Sequence, residues 1–221
     1  MPQQLSFDLP SRTALGRDDF FVSPANAHAV AMIEGWEGWP GRKLMLVGPQ
    51  GSGKSHLTHV WTALSGAQIV PASALIDADI AALATGAIAV EDCDHVAGAR
   101  EAENALFHLH NLALAEGHTV LFTTTTAPSE WPPTLPDLKS RMEGTPSVHI
   151  SPPDDALLGA LLMKLFADRQ LSPSPATIPY LVPRIDRSYE AAATAVAALD
   201  AAALETRRSI TPRLAAEVLD I

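Results

Sequence analysis

The chain has 221 residues, of which 47% are hydrophobic and 18% are charged, so it is long enough to bury a core and too apolar to be disordered. Fifteen lysines and arginines against 25 aspartates and glutamates give a formal charge of −10, which disfavours autonomous binding to the phosphate backbone of DNA. The single cysteine, Cys93, excludes an intrachain disulfide, and no apolar run approaches the roughly 20 residues that a membrane helix needs. These features predict a cytoplasmic protein that does not bind a membrane.

The first elements in chain order are a polar arm over residues 1–19 and a helical pattern at 26–36. Short apolar runs then alternate with helical patterns, which is typical of a parallel sheet with helices on both faces. The runs lie at 43–47, 68–71, 87–91, 118–123 and 147–150, and the helical patterns between them at 54–64, 73–84 and 101–116. We therefore predict an α/β core with a parallel five-stranded sheet over residues 20–151.

Beyond residue 151 the pattern changes, because no convincing strand follows Ser151-Pro152-Pro153. The remaining patterns are helical and lie at 154–169, 176–184, 188–205 and 212–219. Residues 152–221 are therefore predicted to form a small all-helical lid.

A glycine-rich segment follows the first apolar run directly and leads into a helical pattern. It matches the P-loop motif G-x4-G-K-[ST] with the residues Gly48, Pro49, Gln50, Gly51, Ser52, Gly53, Lys54 and Ser55. In such a loop backbone N–H groups surround phosphate oxygens, Lys54 reaches the β- and γ-phosphates, and the Ser55 hydroxyl binds Mg²⁺. The segment predicts a nucleotide site, and its alternative is a purely structural glycine turn.

Acidic residues end the strand predicted at 87–91. A P-loop site needs a carboxylate there for its metal, and Glu91 and Asp92 supply two. We predict that Asp94 is a solvated loop charge and that Cys93, placed between acids, is unreactive because nearby carboxylates disfavour its thiolate.

Three further features could act on a phosphate. The run Thr123–Thr126 ends a predicted strand. If this strand lies beside the strand that ends at Glu91, then Thr124 or a neighbour could reach the γ-phosphate. A stretch of high β-propensity that leads into a loop explains the run equally well. Arg141 and Arg187 are candidates for stabilising charge on a transferring phosphoryl group. The competing interpretation of Arg141 is a surface ion pair with Asp137, four residues earlier.

Taken together, these motifs resemble the AAA+ ATPases, and within them the DnaA group, over residues 15–221. The residues that carry the resemblance are Asp19-Phe20-Phe21-Val22 with Asn26, the segment 48–57, the acids at 91–92, Phe107-His108-x-x-Asn111, Thr123–Thr126, LPDLKSRM at 135–142 and Asp186-Arg187. The resemblance implies ADP or ATP with Mg²⁺ as ligands, the metal being held by Ser55 and Asp92.

The resemblance also assigns roles to single residues. Thr124 corresponds to the sensor 1 position, Arg187 to sensor 2 and Arg141 to the arginine finger, while Phe21, Val22 and His56 join the nucleotide site. The family usually has aspartate where Glu91 stands, which leaves intrinsic hydrolysis open.

Two segments are similar to the Hda regulators within this family. Residues 135–142 are closer to Hda than to DnaA, and Gln4-Leu5-Ser6-Phe7-Asp8-Leu9 is similar to peptides that dock on the replicative sliding clamp through their apolar side chains. No helix-turn-helix pattern follows the predicted lid. The resemblance implies an ADP-bound regulator that docks on the DNA-loaded clamp through Gln4, Leu5, Phe7 and Leu9, stimulates ATP hydrolysis by DnaA and so prevents re-initiation of replication.

Two alternatives stay open at this point. One is an AAA+ nucleotide-binding scaffold or helicase-loader-like module that does not act on DnaA, and the other is a small-molecule kinase. The sequence is compatible with a monomer and with a homodimer.

Overall fold

A computed structural model describes residues 21–132 and 134–221, and its centre is a parallel five-stranded sheet. The strands are β1 (Lys43–Val47), β2 (Gln68–Pro71), β3 (Ile88–Glu91), β4 (Val120–Thr124) and β5 (Ser147–His149). Their spatial order is β2-β3-β4-β1-β5, and every pairing is parallel. The prediction of a parallel five-stranded sheet is confirmed.

Helices cover both faces of this sheet and form the C-terminal region. The α-helices are α1 (Ala27–Glu34), α2 (Lys54–Ser65), α3 (Ile80–Leu83), α4 (Arg100–Ala115), α5 (Pro136–Glu143), α6 (Asp155–Asp168), α7 (Thr177–Leu181), α8 (Tyr189–Thr206) and α9 (Pro212–Leu219). Short 3₁₀ turns lie at Trp36–Gly38, Pro40–Arg42, Ala72–Asp77, Cys93–Val96 and Pro128–Glu130. Across the described ranges 21–132 and 134–221, no helix has the length and apolar character needed to cross a bilayer.

The two faces of the sheet bury separate apolar clusters. On one face α1 and α2 pack with Trp39 stacked on Trp61. On the other face α4 and α5 pack over Phe122 and Met45. Strands buried on both faces read as continuous apolar runs, which is why β1 and β4 could be recognised from the sequence.

The helix predicted at 73–84 is wrong, because the chain breaks there into a 3₁₀ turn at Ala72–Asp77 and the short helix α3. Ala78 between them is extended, and the Asp79 carboxylate accepts the N–H of Ala82 at 3.1 Å. Aspartate binds nearby backbone N–H groups more readily as a cap than inside a helix, so Asp79 begins a new helix.

The C-terminal helices α6 to α9 surround an apolar cluster of their own, centred on Leu162, Phe166 and Val196. Side-chain caps set the starts of three of them: Asp154 accepts the N–H of Leu157, Ser188 that of Ala191 and Thr211 that of Leu214. The starts of these three helices are therefore encoded locally.

Candidate functional site

The glycine-rich loop joins β1 to α2 at the carboxyl edge of the sheet. Gly51 and Gly53 have φ angles of 73° and 103°, a conformation that residues with a side chain rarely adopt. The first hydrogen bond of α2 runs from the N–H of Leu57 to the carbonyl of Gly53. The N–H groups that precede Leu57 at the helix start therefore make no hydrogen bond within the helix. Such a helix start attracts anions.

Lys54 lies at this helix start with only 7% of its surface exposed. Its ammonium donates to the carbonyls of Gly48 at 2.7 Å and Pro49 at 3.1 Å. Burial lowers the pKa of Lys54, and the neighbouring carboxylates of Asp92, Asp94 and Glu91 oppose this by favouring the charged form. The site thus holds a lysine whose charge is partly desolvated and which a phosphate group can attract away from neutral carbonyls.

The order of the strands brings the acidic residues opposite the loop, because β4 lies between β1 and β3. Asp92 follows β3 in the left-handed conformation with φ 56°, and its N–H donates to the Thr123 hydroxyl at 3.0 Å. One carboxylate oxygen of Glu91, Oε1, is buried without a hydrogen-bond partner. The predicted adjacency of the acidic and threonine-rich strand ends is therefore present.

Asp94 is not a solvated loop charge, as the sequence had suggested. It is half-buried, and its Oδ2 accepts both the N–H and the hydroxyl of Thr125. The other oxygen, Oδ1, is buried without a partner. Burial, reinforced by Asp94, raises the pKa of the Cys93 thiol, so this buried cysteine is unreactive at neutral pH as predicted.

Thr125, rather than Thr124, lines the cavity at the end of β4. The Thr124 hydroxyl is buried and donates to the carbonyl of Thr126 at 2.8 Å. The sequence favoured Thr124 or a neighbour, and the structure places the neighbour Thr125 in the cavity. Side chains alternate between faces along a strand, and the exact residue at which a strand ends decides which hydroxyl faces the cavity.

These groups surround a cavity of about 480 Å³. Its lining residues are Gln50, Gly51, Gly53, Lys54, Ser55, His56, Asp92, His95, Thr125, Tyr189 and Glu190. Among the described residues that line it, Lys54 is the one lysine or arginine, whereas Asp92 and Glu190 are acidic. The predicted loop, Ser55, His56 and Asp92 therefore converge on one space.

The C-terminal helices complete this cavity, as the resemblance implied, but through Tyr189 and Glu190 and not through Arg187. The N–H of Tyr189, at the start of α8, donates to the carbonyl of Gly51 at 2.9 Å. A Cβ atom added at Gly51 would lie 2.5 Å from the Cβ of Ser188. The start of α8 is therefore in van der Waals contact with the glycine-rich loop, and this contact carries Tyr189 and Glu190 into the site.

A second, smaller cavity adjoins the first and shares Gly51, Gly53, His56 and Tyr189 with it. Its apolar walls come from Phe21, Leu157 and Leu161, and the side chain of Asn26 fixes the chain there by donating to the carbonyl of Phe21 at 2.8 Å. Phe21 thus lines the cavity beside the glycine-rich loop, whereas Val22, the other residue that the resemblance added to the site, is exposed and lines neither cavity.

The two candidate arginines lie outside both cavities. Arg187 forms an ion pair with Asp155 at 2.5 Å and also donates to the carbonyl of Pro153. Arg141 is exposed in the last turn of α5, at the amino edge of the sheet where β1 begins. Its carbonyl accepts the ammonium of Lys43 at 3.3 Å, and no ion pair joins it to Asp137 within the described chain.

Unpartnered polar atoms test whether this site suits a nucleotide and Mg²⁺. The hydroxyl oxygen of Ser52, Oε1 of Glu91 and Oδ1 of Asp94 are all buried without a hydrogen-bond partner around the loop. Buried polar atoms normally have partners, and a hydrated metal supplies donors for carboxylates. The residues present therefore fit both a nucleotide and Mg²⁺.

The predicted partner-binding residues Gln4, Leu5, Phe7 and Leu9 lie outside the described part of the chain.

No family model matches the chain, whereas solved structures do. Domain III of the replication initiation protein DnaA from Thermotoga maritima superposes with a TM-score of 0.83 at 16% identity, covering 93% of this chain and 95% of that one. AMPPCP-bound DnaA from Aquifex aeolicus superposes with a TM-score of 0.72 at 16% identity, covering 90% of this chain and 68% of that one.

The RuvB Holliday junction branch migration motor from Thermotoga maritima gives a TM-score of 0.72 at 14% identity, covering 93% of this chain and 71% of that one. Identities this low establish the fold alone. The chain therefore has the fold shared by domain III of DnaA and by RuvB.

Proposed function

We propose that this protein is a nucleotide-binding regulator of replication initiation that acts in the manner of Hda. The observation that carries the nucleotide part is the cavity in which Lys54, Ser55, Asp92 and Thr125 converge beside the start of α2. The AMPPCP bound by the similar DnaA structure supports an adenine nucleotide as the ligand. The replication role rests on the fold shared with DnaA and on the resemblance of residues 135–142 to Hda.

Each residue at the site has a defined task in this proposal. The loop N–H groups and the start of α2 bind the phosphates, Lys54 exchanges its two carbonyl contacts for phosphate oxygens, and the small apolar cavity beside Phe21 takes the base. Ser55 and Asp92 would hold Mg²⁺, which neutralises phosphate charge when bound. Because Glu190 adds a further negative charge, we propose ADP rather than ATP as the resident nucleotide.

In this proposal Arg141 acts on another molecule. It lies at the amino edge of the sheet, whereas the nucleotide cavity of its own molecule lies at the carboxyl edge. An exposed guanidinium can be delivered to a phosphoryl group held by a neighbour, where such an arginine typically accelerates hydrolysis about 10³- to 10⁵-fold. The neighbour proposed is ATP-bound DnaA. Docking on the sliding clamp through Gln4, Leu5, Phe7 and Leu9 is proposed from the sequence resemblance.

The nucleotide proposal is tested by titration calorimetry with ADP and Mg²⁺. Lys54→Ala should weaken ADP binding by roughly 100-fold, because a desolvated charge-assisted contact to phosphate is lost. Lys139→Ala is the matched control, since Lys139 is a partly exposed lysine paired with Glu143 on α5. The ADP affinity of this variant should stay within about twofold of wild type. Equal ADP affinity in the Lys54 variant and wild type would refute the assignment.

The regulatory proposal is tested by phosphate release from ATP-DnaA on DNA loaded with the clamp. Wild-type protein should stimulate release, Arg141→Ala should not, and both should bind ADP equally. Replacing Leu5 and Phe7 with alanine should abolish clamp binding measured by surface plasmon resonance. If wild-type protein binds ADP and the clamp but does not stimulate phosphate release from ATP-DnaA, the result would instead identify a nucleotide-binding scaffold.

A further inference from the structure

Thr125 lies where the end of β4 meets the glycine-rich loop. The N–H of Gly48, the first residue of that loop, donates to the carbonyl of Thr124 at 3.1 Å. Thr125 is the next residue, and it lines the same cavity as Lys54 and Asp92. A ligand bound at the glycine-rich loop therefore lies beside the polar groups of Thr125.

Both hydrogen-bond donors of Thr125 are directed to one carboxylate. Its N–H donates to Oδ2 of Asp94 at 3.2 Å, and its hydroxyl contacts the same oxygen. Because a backbone N–H can only donate, Oδ2 serves as an acceptor, and the hydroxyl proton points to it as well. The hydroxyl of Thr125 therefore keeps only its lone pairs for other contacts.

The two preceding threonines of β4 do not replace this donor. The Thr124 hydroxyl is buried and donates to the carbonyl of Thr126 at 2.8 Å. The Thr123 hydroxyl is buried as well and accepts the N–H of Asp92 at 3.0 Å. Neither residue lines the cavity in the part of the chain that the structure describes. The end of β4 thus presents acceptors to the cavity, next to an acidic residue.

A structural role explains only one of the two contacts with Asp94. The bond from the N–H of Thr125 already joins the turn Cys93–Val96 to the end of β4. Oδ1 of the same carboxylate is buried without a hydrogen-bond partner, which costs free energy that a neutral side chain would avoid. The contact with the hydroxyl adds no new attachment between elements, but it fixes the direction of the hydroxyl proton.

That direction matters for the number of phosphates in the ligand. In a P-loop site the lysine reaches the β- and γ-phosphates, so Lys54 marks the region that a third phosphate would occupy. Oxygens of an ionised phosphate accept hydrogen bonds, and donors stabilise them whereas lone pairs repel them. A cavity wall that offers acceptors beside a carboxylate therefore disfavours a third phosphate.

We propose that Asp94 is a positioning residue that sets the nucleotide preference of this cavity. By holding the hydroxyl proton of Thr125, it withholds a hydrogen bond from a third phosphate and favours a nucleoside diphosphate over a triphosphate. This inference rests on the proposed nucleotide function and deepens it, because it names a residue outside the glycine-rich loop that selects the ligand.

The inference is tested by titration calorimetry with ADP and with AMPPCP, a non-hydrolysable ATP analogue, both in the presence of Mg²⁺. Asp94→Asn should raise the ratio of AMPPCP affinity to ADP affinity about tenfold, because a neutral amide holds the hydroxyl proton less tightly than a carboxylate. Asp94→Ala removes the acceptor and should raise the ratio at least as much. An unchanged ratio in both variants would overturn the inference.

Asp137→Asn is the matched control, since Asp137 is an exposed aspartate that lines neither cavity. Its affinity ratio should stay within about twofold of wild type. The melting temperature of each variant excludes misfolding as the cause of a change, and Asp94→Asn keeps an oxygen that can accept both contacts from Thr125.

Repeating Asp94→Asn in a Thr125→Val background separates the hydroxyl from the charge. If Asp94 acts through the hydroxyl proton, the affinity ratio should not rise in that background. An equal rise with and without the hydroxyl would mean that the charge alone sets the preference, and it would overturn the positioning role. A Mg²⁺-dependent loss of affinity for both nucleotides in Asp94→Asn would assign Asp94 to the metal and would also overturn it.

The same titrations separate this inference from the proposed function. If wild type binds neither ADP nor AMPPCP, the nucleotide site is refuted and the inference with it. If wild type binds ADP and the Asp94 variants keep its affinity ratio, the nucleotide site stands and only the inference is overturned.

Discussion

The two edges of the sheet differ in charge and in what closes them. At the carboxyl edge, Asp92 and Glu190 share a cavity with one buried lysine, Lys54, and the C-terminal helices close over it. At the amino edge, the Lys43 ammonium contacts the carbonyl of Arg141 and the ring of His110, and neither Lys43 nor Arg141 has an acidic partner among the described residues. This difference in charge and closure distinguishes the candidate nucleotide site from the amino edge.

Acid should disturb the amino edge most strongly, because it would add a third positive charge at His110. The pKa of His110 is about 4 in the folded protein against an ordinary value of 6.5, so the unfolded state binds the proton more tightly. The resulting stability is complete above pH 6.5 and is lost as the pH falls towards 4. The loss should approach about 3 kcal/mol.

Urea unfolding of wild type and His110→Asn across this pH range measures that loss. The variant should be less stable at pH 7 but should lose less on acidification. His108→Asn, an exposed histidine on the same helix, is the control and should behave as wild type. An identical pH dependence in His110→Asn and wild type would show that His110 is not held neutral.

Gly51→Ala should break the closure of the carboxyl edge. The added Cβ would meet Ser188 at 2.5 Å in a backbone conformation that disfavours side chains, so we expect about 2 kcal/mol of destabilisation and weaker ADP binding. Gly66→Ala is the matched control, since Gly66 has φ 71° with open space around it. Equal losses for both variants in thermal unfolding would mean that the contact with α8 contributes nothing.

Glu190→Gln should reduce the charge difference between the edges by making the cavity less acidic. ATP carries more negative charge than ADP, so the affinity for ATP should rise about three- to tenfold and that for ADP by less. Glu205→Gln, exposed on the same helix, should leave both affinities unchanged. Calorimetry showing an unchanged ATP-to-ADP ratio in Glu190→Gln would remove the basis for preferring ADP.

Arg187→Ala should have the smallest effect, because its ion pair with Asp155 is exposed. We expect a loss of about 0.5 kcal/mol in thermal unfolding and an ADP affinity within twofold of wild type. Asp155→Asn should match it, and the double variant should lose nothing further. A tenfold fall in ADP affinity for Arg187→Ala alone would place this arginine at the nucleotide, as the sequence resemblance implied.

The sequence by itself determined the features that depend on neighbouring residues. These elements occur where the sequence predicted them: the glycine-rich loop between β1 and α2, the strands at 43–47 and 68–71, and the helix Pro212–Leu219. Glycines, caps and runs of apolar side chains act over a few residues, so their pattern is readable directly. The helix predicted at 73–84 was wrong because Asp79, a local cap, outweighed the apolar periodicity.

Only the tertiary structure decided which side chains meet across long sequence separations. It selected Thr125 instead of Thr124, bonded Asp94 to Thr125 and brought Glu190 to a loop about 140 residues earlier. It also placed Lys43 against His110 and Arg141. The spacing of residues carries no signal for such approaches, because strand order and the packing of helices on the sheet set these distances.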